Sequence, residues 1–288
     1  MLIKVWYSKI LLQNKNSVKY ILIGGEVKGM KKQLLRTLAA GVLVSALCLT
    51  SCGSSGIKMI KIPGKDFKMS ATEITQKQYE KVMGENPSWF QISNEDLDDE
   101  EKKQLKNTSN NPVENVSWYD ALYFCNELSE KLGFTPVYAV DGKTDVATWN
   151  YTPHEEESIE GEISQNLSAN GFRLPTVEEW MYAARGGQNY EYSGSNNLDE
   201  VGWHHRNSGD RTHPVAQKKA NGYGLYDMSG NVCEWCWDVD PNDSDDRYYY
   251  GGCYIGRYDD CKVSGRDNFE AYYQYDHIGF RIVCNADN

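Results

Sequence analysis

Several signatures of common protein classes are missing from this 288-residue sequence. It has no glycine-rich loop of the kind that holds phosphate groups, which argues against a P-loop nucleotide enzyme. It has no internal repeat, which argues against a solenoid or a propeller. It also has no Gly-x-Ser-x-Gly elbow, although a serine–histidine–aspartate triad assembled from distant residues stays open.

Basic residues are scarce in most of the chain. Eight of the 30 Lys and Arg residues, but only one of the 41 Asp and Glu residues, lie within the first 51 positions. The remaining chain carries 22 basic and 40 acidic groups, a formal charge of −18. Such a surface repels a nucleic-acid backbone, so no nucleic-acid partner is expected.

Histidines are few as well, and three of the five lie between Trp203 and His213. Their spacing matches no regular zinc-ligand pattern. Histidines in irregular loops are more often hydrogen-bonded than metal-bound, so we expect a hydrogen-bonded loop here.

The apolar run at 37–49 is too short for an ordinary membrane span. It follows Met30-Lys-Lys-Gln-Leu-Leu-Arg36, as in a secretory signal peptide, and Leu49-Thr-Ser-Cys52 resembles a bacterial lipobox. We therefore predict a lipoprotein signal peptide at 30–51, lipidation of Cys52 and a lipidated tether at 52–56. The alternative is a buried helix that ends in an unmodified cysteine.

Residues 1–29 do not fit a signal peptide that begins at Met30. The stretch from Gly24 to Gly29 could be a translated purine-rich ribosome-binding site. We therefore interpret residues 1–29 as a start-site misassignment, which sequencing the amino terminus of the unprocessed protein would test.

The most concentrated motif of the chain lies between Asn221 and Trp235. Its glycines permit turns that a side chain would forbid, and its large apolar residues need a core to cover them. Asp227 and Glu234 flank the turn at Gly230, so two carboxylates and the intervening carbonyls can converge on calcium. A hydrogen-bonded core loop without metal is the alternative.

This run resembles the signature of the formylglycine-generating enzyme (sulfatase-modifying factor) family. Three further motifs agree in the same order: Glu73 to Tyr79, Asn111 to Ala121 and Gly171 to Gly187. The chain then closes on Gly279-Phe-Arg281, as family members do. The resemblance implies an α+β domain over residues 57–288, with a C-type-lectin-like fold of the formylglycine-generating-enzyme subtype that is rich in irregular loops.

The resemblance also implies a structural calcium ion. Its ligands would be the side chains of Asp227 and Glu234 and the carbonyls of Gly230 and Val232. Cys233 is a departure, because relatives usually carry Trp at that position.

Local patterns predict the main elements of this domain. An alternating stretch with a Pro-Gly break predicts a hairpin at 57–69. Capping boxes at Thr75, Ser117 and Thr176 predict helices that end near residues 83, 132 and 186. The polar stretch 91–110 is predicted as an exposed insertion with one loose helix, and 135–149 as a strand, an Asp-Gly turn and a strand. We expect Arg173 to form a buried ion pair or to brace backbone carbonyls.

Formylglycine generation would need copper held by two thiolates, because copper(I) favours soft sulfur ligands. Active family members supply two cysteines separated by four residues in the last segment. Cys261 matches the second cysteine, but Gly256 stands at the first position, and Cys253 has the wrong register. We therefore expect no catalytic residue unless Cys261 serves an oxidase.

That oxidase is the alternative function. It would use copper to convert a cysteine of a sulfatase-type substrate to formylglycine. A sulfoxide synthase would in addition need a three-histidine iron site, and the chain has no such histidine pattern.

Tyrosine is abundant, and eight of the 20 tyrosines lie between Tyr248 and His277. Tyrosine offers large, rigid contact area at small entropic cost, and short polar side chains add adaptable hydrogen bonds. An ordinary polar loop over the core is the alternative. We predict a ligand-binding surface formed by Tyr254, Arg257, Tyr258, Asp259, Asp260, Asp267, Phe269, Tyr272, Tyr273, Tyr275, Asp276 and His277.

The same segment resembles the variable region of lipoproteins that retroelements diversify by mutating adenines in Asn codons. Residues 253–260 and most of 267–277 fit such codons, whereas Glu270 and Gln274 do not. We therefore expect an exported protein of the bacterial envelope, at the outer membrane or cell surface and anchored in the membrane by its amino-terminal lipid. Its hypervariable surface would bind a protein or another macromolecular ligand.

Overall fold

The computed structural model describes residues 4–10, 20–26 and 55–287, and the chain divides into two compact units, 1–49 and 50–288. In the first unit, β1 (Lys4–Ile10) and β2 (Tyr20–Glu26) form an antiparallel hairpin with Lys4 opposite Glu26. The predicted signal peptide at 30–51 and the predicted lipidation site, Cys52, lie outside the described residues.

The second unit contains short strands and helices joined by long irregular segments. In chain order they are β3 (Met59–Lys61), β4 (Phe67–Ser70), α1 (Gln76–Met83), α2 (Asp99–Gln104), α3 (Trp118–Lys131), β5 (Tyr138–Val140), a 3-10 turn (Val146–Thr148), β6 (Ile163–Gln165), β7 (Phe172–Arg173), α4 (Val177–Arg185), α5 (Leu198–Val201), β8 (Cys233–Asp240), β9 (Asp243–Tyr250), β10 (Arg266–Glu270), β11 (Ile278–Gly279) and β12 (Val283–Asn285).

One four-stranded sheet joins the two ends of this unit. Its strand order is β3-β4-β12-β7, so a strand near residue 284 lies between strands near residues 68 and 172. Met59 pairs with Ser70 across the β3–β4 hairpin, and Cys284 pairs with Lys68. The hairpin predicted at 57–69 is therefore confirmed.

The three helices predicted from capping boxes are confirmed. The hydroxyls of Thr75, Ser117 and Thr176 each accept a hydrogen bond from the backbone N–H three residues later. A residue in the left-handed conformation ends α1 at Gly84 and α4 at Gly186. The longest helix among the described residues, α3, is buried along most of its length and packs against α1, β7 and the 3-10 turn.

The second four-stranded sheet, with the order β10-β9-β8-β11, positions the candidate site. Glu234 and Arg266 both pair with Tyr250, and Ile278 pairs with Cys233 in a parallel arrangement. At one edge of this sheet, the start of β8 therefore lies beside the end of β9 and the starts of β10 and β11. The segment 251–265 and His277 are brought to that edge.

The prediction of two strands between 135 and 149 is wrong in its second half. Asp141 and Gly142 form the expected turn, both with positive φ. The Asp145 side chain then accepts a hydrogen bond from Ala147 N–H and begins a 3-10 turn in place of a strand. The strand that pairs with β5 is β6, with Tyr138 opposite Gln165.

The insertion at 91–110 contains the one helix predicted, α2, which an Asp98 capping box begins. Its exposure was overestimated, because Leu97 and Leu105 are buried against Phe90 and Tyr254. This packing attaches the insertion to the segment that follows β9.

Arg173 forms the predicted buried ion pair. Its two terminal nitrogens each lie 2.6 Å from an oxygen of Glu179, and one also donates to Leu174 O at 3.1 Å. Among the residues that the structure describes, none of the helices is both long enough and apolar enough to cross a membrane.

Candidate functional site

A pocket of about 310 Å³ opens at the edge where β8, β9, β10 and β11 meet. Thiol, aromatic, imidazole and charged groups share its wall. The lining residues are Cys233, Tyr249, Tyr250, Gly252, Cys253, Ile255, Gly256, Asp260, Gly265, Arg266, Asp267 and His277. Three of the predicted surface residues, Asp260, Asp267 and His277, line this pocket.

The turn after β9 is tightly packed at two glycines. Gly252 has φ +66°, and a Cβ there would lie 2.8 Å from both Asp260 O and Cys261 Sγ. A Cβ at Gly256 would lie 3.3 Å from Cys261 Sγ. The position at which relatives carry the first copper-binding cysteine is therefore next to the surviving thiol.

The thiol pair expected for copper is incomplete, because Gly256 stands opposite Cys261. Cys261 Sγ has no thiol neighbour from position 256, and it accepts the backbone N–H of Cys253. The side chain of Cys253 interacts with Cys233. Burial raises the pKa of the Cys261 thiol above its usual value, which disfavours the thiolate that a soft metal needs.

Cys233 and Cys253 form a thiol pair that the sequence did not predict. A hydrogen bond from the Cys233 thiol lowers the pKa of Cys253, and His277 and the N–H groups of Ile255 and Gly256 act in the same direction. The same hydrogen bond, followed by burial, raises the pKa of Cys233. The pair therefore holds a proton on Cys233 and favours a thiolate at Cys253.

His277 is fixed beside this pair by a chain of hydrogen bonds. Its Nδ1 lies 3.0 Å from Asp276 Oδ1, and the Tyr254 hydroxyl donates to Asp276 Oδ2 at 2.9 Å. Burial alone would lower the pKa of His277, but Asp276 and Cys253 raise it overall. These partners therefore favour the charged form of the imidazole next to the Cys253 side chain.

Alternation along β8 explains why this pair was missed. Cys233-Glu-Trp-Cys236 has the spacing of a redox motif, but residues three apart in a strand face opposite sides of the sheet. Cys233 packs into the larger core cluster and Cys236 into the second one. Only the register of β8 against β9 brings Cys253 to Cys233, and no local pattern encodes that register.

Next to the pocket, five half-buried rings form a continuous aromatic patch. Tyr272 and Tyr273 stack with centroids 4.5 Å apart, and Phe269 meets Tyr273 and Tyr275 edge to face at 4.9 and 5.1 Å. His277 continues the series at 5.2 Å from Tyr275. Phe269, Tyr272 and Tyr275 also pack against the core, so each has one covered and one accessible side.

On the other side of the pocket, Arg257, Tyr258, Asp259 and Asp260 are exposed. The Tyr258 ring is 36% exposed and lies 5.1 Å from the ring of His204, with the Arg206 guanidinium 5.2 Å above it. The predicted polar and aromatic residues of this segment are therefore accessible, as a binding surface requires.

Tyr254 is the exception among the twelve predicted residues. Its side chain is only 3% exposed and meets Phe90 edge to face at 5.1 Å, so its ring cannot serve as a contact surface. The insertion at 91–110 covers it, which the sequence did not reveal. Tyr254 instead orients Asp276. We name the other eleven residues the C-terminal surface.

The predicted calcium loop is a buried charged cluster. Glu234 Oε2 accepts from Arg281 Nε and Trp180 Nε1, both at 2.6 Å, and Glu234 Oε1 accepts from Arg281 Nη2 at 2.7 Å. Burial, partly offset by Ala216 N–H and Arg281, raises the pKa of Asp227 to about 6. Burial, then the charges of Asp227 and Glu234, raise the pKa of Glu73.

Among the described residues, Asp227 Oδ1 and Glu73 Oε1 are buried with no hydrogen-bond partner. Such oxygens fit a hard cation or a shared proton. Asp227 therefore fits a calcium ligand, whereas Glu234 can serve only through an oxygen that already accepts a hydrogen bond from Arg281.

This geometry has counterparts among known proteins. The chain is 35% identical over 297 residues to the protein named Chaperone protein LppX from Paenibacillus barcinonensis, covering 88% of this chain and 99% of that one. It resembles the structure of Treponema denticola variable protein 1 with a TM-score of 0.67 and 32% identity, over 80% of this chain and 92% of that chain. It is 29% identical over 212 residues to the Formylglycine-generating enzyme of Mus musculus, covering 62% of this chain and 45% of that enzyme.

Residues 49–286 match the Sulfatase-modifying factor enzyme 1-like domain. This match and the structural similarity confirm the α+β, C-type-lectin-like fold of the formylglycine-generating-enzyme subtype that the ordered motifs predicted, as well as the resemblance to a variable protein. The chain belongs to the sulfatase-modifying factor enzyme 1-like domain family.

Proposed function

We propose that this chain is an envelope lipoprotein whose C-terminal surface binds a macromolecular ligand, most simply a protein. The observation that carries the proposal is the aromatic patch of Phe269, Tyr272, Tyr273, Tyr275 and His277, which is supported from below by the core and accessible from outside. Rings fixed in this way contribute contact area without losing much side-chain freedom on binding.

The surroundings of the patch favour a polypeptide over a small molecule. Exposed Arg257, Asp259, Asp260 and Asp267 surround the pocket and can select a ligand by charge, while the rings supply the desolvated centre. A relative that bears the name of a chaperone supports a protein as the partner.

The lipid anchor and the variability extend this proposal. The signal peptide at 30–51 and the lipobox at Cys52 support attachment to a bacterial membrane. The similarity to a protein named as variable supports sequence change in the segment 253–277, and the family-shared Gly279-Phe-Arg281 would stay constant. A reverse transcriptase gene beside a near-copy of the 3′ end, with Asn codons at the varied positions, would test the variability.

Calcium at Asp227, Gly230, Val232 and Glu234 belongs to this proposal as a stabilising ion. It would neutralise carboxylates at the base of the sheet and so stiffen the neighbouring segment. Calorimetric titration of metal-free protein with calcium should show one site per chain that Asp227→Asn removes. If the protein is equally stable with calcium and with a chelator, the loop is a hydrogen-bonded core loop without metal.

The binding proposal is tested by comparing envelope proteins captured by the wild type and by a triple variant. Tyr272→Ser, Tyr273→Ser and Tyr275→Ser remove the patch, and Tyr190→Ser, which changes an exposed tyrosine at 42% exposure elsewhere, is the matched control. A ligand of the surface should be retained at least about tenfold less by the triple variant, because truncating a central aromatic residue typically costs more than about 1 kcal/mol. The control should retain it fully.

The opposite result is informative in its own right. If every captured protein is retained equally by the wild type, the triple variant and the control, while all three fold, the aromatic patch is not a binding surface.

A further inference from the structure

Two thiols face one pocket at the edge of the second sheet. Cys233 begins β8, Cys253 lies three residues beyond the end of β9, and both sulfur-bearing side chains line the pocket with 5% exposure. Both side chains therefore open onto the same space and are close enough to interact. Their neighbourhood comes from strand pairing, because Glu234 lies opposite Tyr250 and Asn231 O accepts Tyr254 N–H at 2.8 Å.

The groups around Cys253 suit a reacting sulfur. The Gly256 N–H donates to the Cys253 carbonyl oxygen at 2.8 Å and so holds this residue in a tight turn, and His277 lines the same pocket as Cys253. Asp276 fixes the imidazole, and Tyr254 fixes Asp276. An oriented imidazole in a shared pocket is a feature that accompanies reactive cysteines, whereas structural cysteines have apolar neighbours.

We propose that Cys233 and Cys253 are a reversible dithiol–disulfide pair that exchanges with small disulfides entering the pocket. The Cys253 thiolate attacks one sulfur of a disulfide RSSR, which forms a Cys253–S–S–R bond and breaks the RS–SR bond, and the released thiolate takes up the proton that the Cys253 thiol gave to solvent, forming RSH. Cys233 then attacks the Cys253 sulfur, which forms the Cys233–Cys253 disulfide and releases a second RSH. Two protein thiols are oxidised and one RSSR is reduced to two RSH.

The cross-link would act on the geometry of the C-terminal surface. It would join the start of β8 to the segment 251–265, which carries Arg257, Tyr258, Asp259 and Asp260. Oxidation would therefore restrict this segment, and reduction would release it. The pair itself does not depend on the proposed binding function, so it stands even if no macromolecular ligand is found.

The test uses the mature chain with oxidised glutathione as the probe. Trypsin places Cys253 and Cys233 in different peptides, because Arg247 and Arg257 lie on either side of Cys253. We expect mass spectrometry under non-reducing conditions to find the Cys233–Cys253 cross-linked peptide, with two glutathione molecules released per chain.

Variants separate the two steps. Cys253→Ser should abolish reaction, whereas Cys233→Ser should stop at one glutathione adduct on Cys253. Cys236→Ala is the matched control, since Cys236 lies on the opposite face and is fully buried, and it should leave the cross-link unchanged. His277→Gln should slow formation of the first adduct at neutral pH by about tenfold.

Folding of each variant is checked by near-ultraviolet circular dichroism. The proposal is overturned if folded wild-type protein forms no Cys233–Cys253 cross-link. It is also overturned if Cys253 pairs with Cys261 instead, or if glutathione reacts with Cys253 no faster than with the buried Cys125.

Discussion

The loop from Asn221 to Trp235 and the segment from Gly251 to His277 lie side by side but are built in different ways. In the loop, Asp227, Asn231 and Glu234 are buried and bonded to residues from distant parts of the chain. In the segment, Arg257, Tyr258, Asp259 and Asp260 face solvent and make mostly local contacts. The first region can change few residues without loss of the fold, whereas the second can change many.

The same difference in exposure is seen between two tyrosines. Tyr250, at the end of β9, is 1% exposed and packs on Trp180 at 5.1 Å, whereas Tyr258, eight residues later, is 36% exposed. A high tyrosine content therefore marks a binding surface only where the rings reach solvent. The four predictions that follow test this division, from the largest expected effect to the smallest.

Removing Arg281 should strongly destabilise the buried cluster around Glu234. Arg281→Met leaves Glu234 as a buried charge without its partner, so unfolding free energy should fall by about 3–5 kcal/mol. Lys262→Met removes the partner of Asp259 in a surface ion pair and should cost less than about 1 kcal/mol. Denaturant titration measures both, and similar losses in the two variants would contradict the division.

Glu114 should make stability depend on pH. Burial raises its pKa to about 8, although the N–H groups of Trp89 and Phe90 oppose the shift and Asp276 adds to it. The folded state therefore keeps a proton that the unfolded state loses above its ordinary pKa near 4.5. Stability should fall as pH rises from about 4.5 to 8, by up to about 1.4 kcal/mol per pH unit.

Glu114→Gln carries no titrating group and should remove this fall. Unfolding free energies at pH 5 and pH 8 are compared for the variant and the wild type. An equal pH dependence in both would show that Glu114 titrates normally in the folded protein.

Gly256→Cys should restore the thiol that is missing opposite Cys261. A Cβ at this position would lie 3.3 Å from Cys261 Sγ but also 2.9 Å from Cys253 O, so the turn must shift slightly to let the new cysteine face the old one. Copper(I) affinity, measured by competition with a chromophoric chelator, should increase at least about tenfold, equal to ~1.4 kcal/mol. Gly256→Ser is the matched control without sulfur. Equal affinity of the two variants would mean that the pocket no longer has the geometry for two thiolates.

Tyr258→Ala should have the smallest effect. Truncation of an exposed side chain usually changes unfolding free energy by less than about 0.5 kcal/mol. Tyr250→Ala, its buried counterpart, should cost about 3 kcal/mol or more. If thermal unfolding shows comparable losses, Tyr258 belongs to the scaffold rather than to the surface.

Local chemistry made much of the fold predictable from the sequence. A capping box is a contact between residues three apart, and Thr75, Ser117 and Thr176 each formed one. The Pro-Gly turn and the Arg173–Glu179 pair are also local. The fold class followed from four motifs in order, and residue patterns alone would not have provided it.

What the sequence did not reveal depends on distant partners. Tyr254 is buried because Phe90, Leu97 and Leu105 cover it from an insertion more than 100 positions away. Cys253 meets Cys233 only through the β8–β9 register. Asn126 of helix α3 holds the backbone of Tyr138 and Thr144 on either side of the Asp-Gly turn. None of these contacts follows a local period.

The most direct test of the account is a stability scan of every single substitution in the two regions, read from the protease resistance of displayed variants. The account predicts that substitutions on the C-terminal surface cost a median of less than about 1 kcal/mol, whereas those from Asp227 to Trp235 cost more than about 2 kcal/mol. Equal median losses in the two regions would contradict the account, because the segment would then be part of the core and not a surface that the scaffold displays.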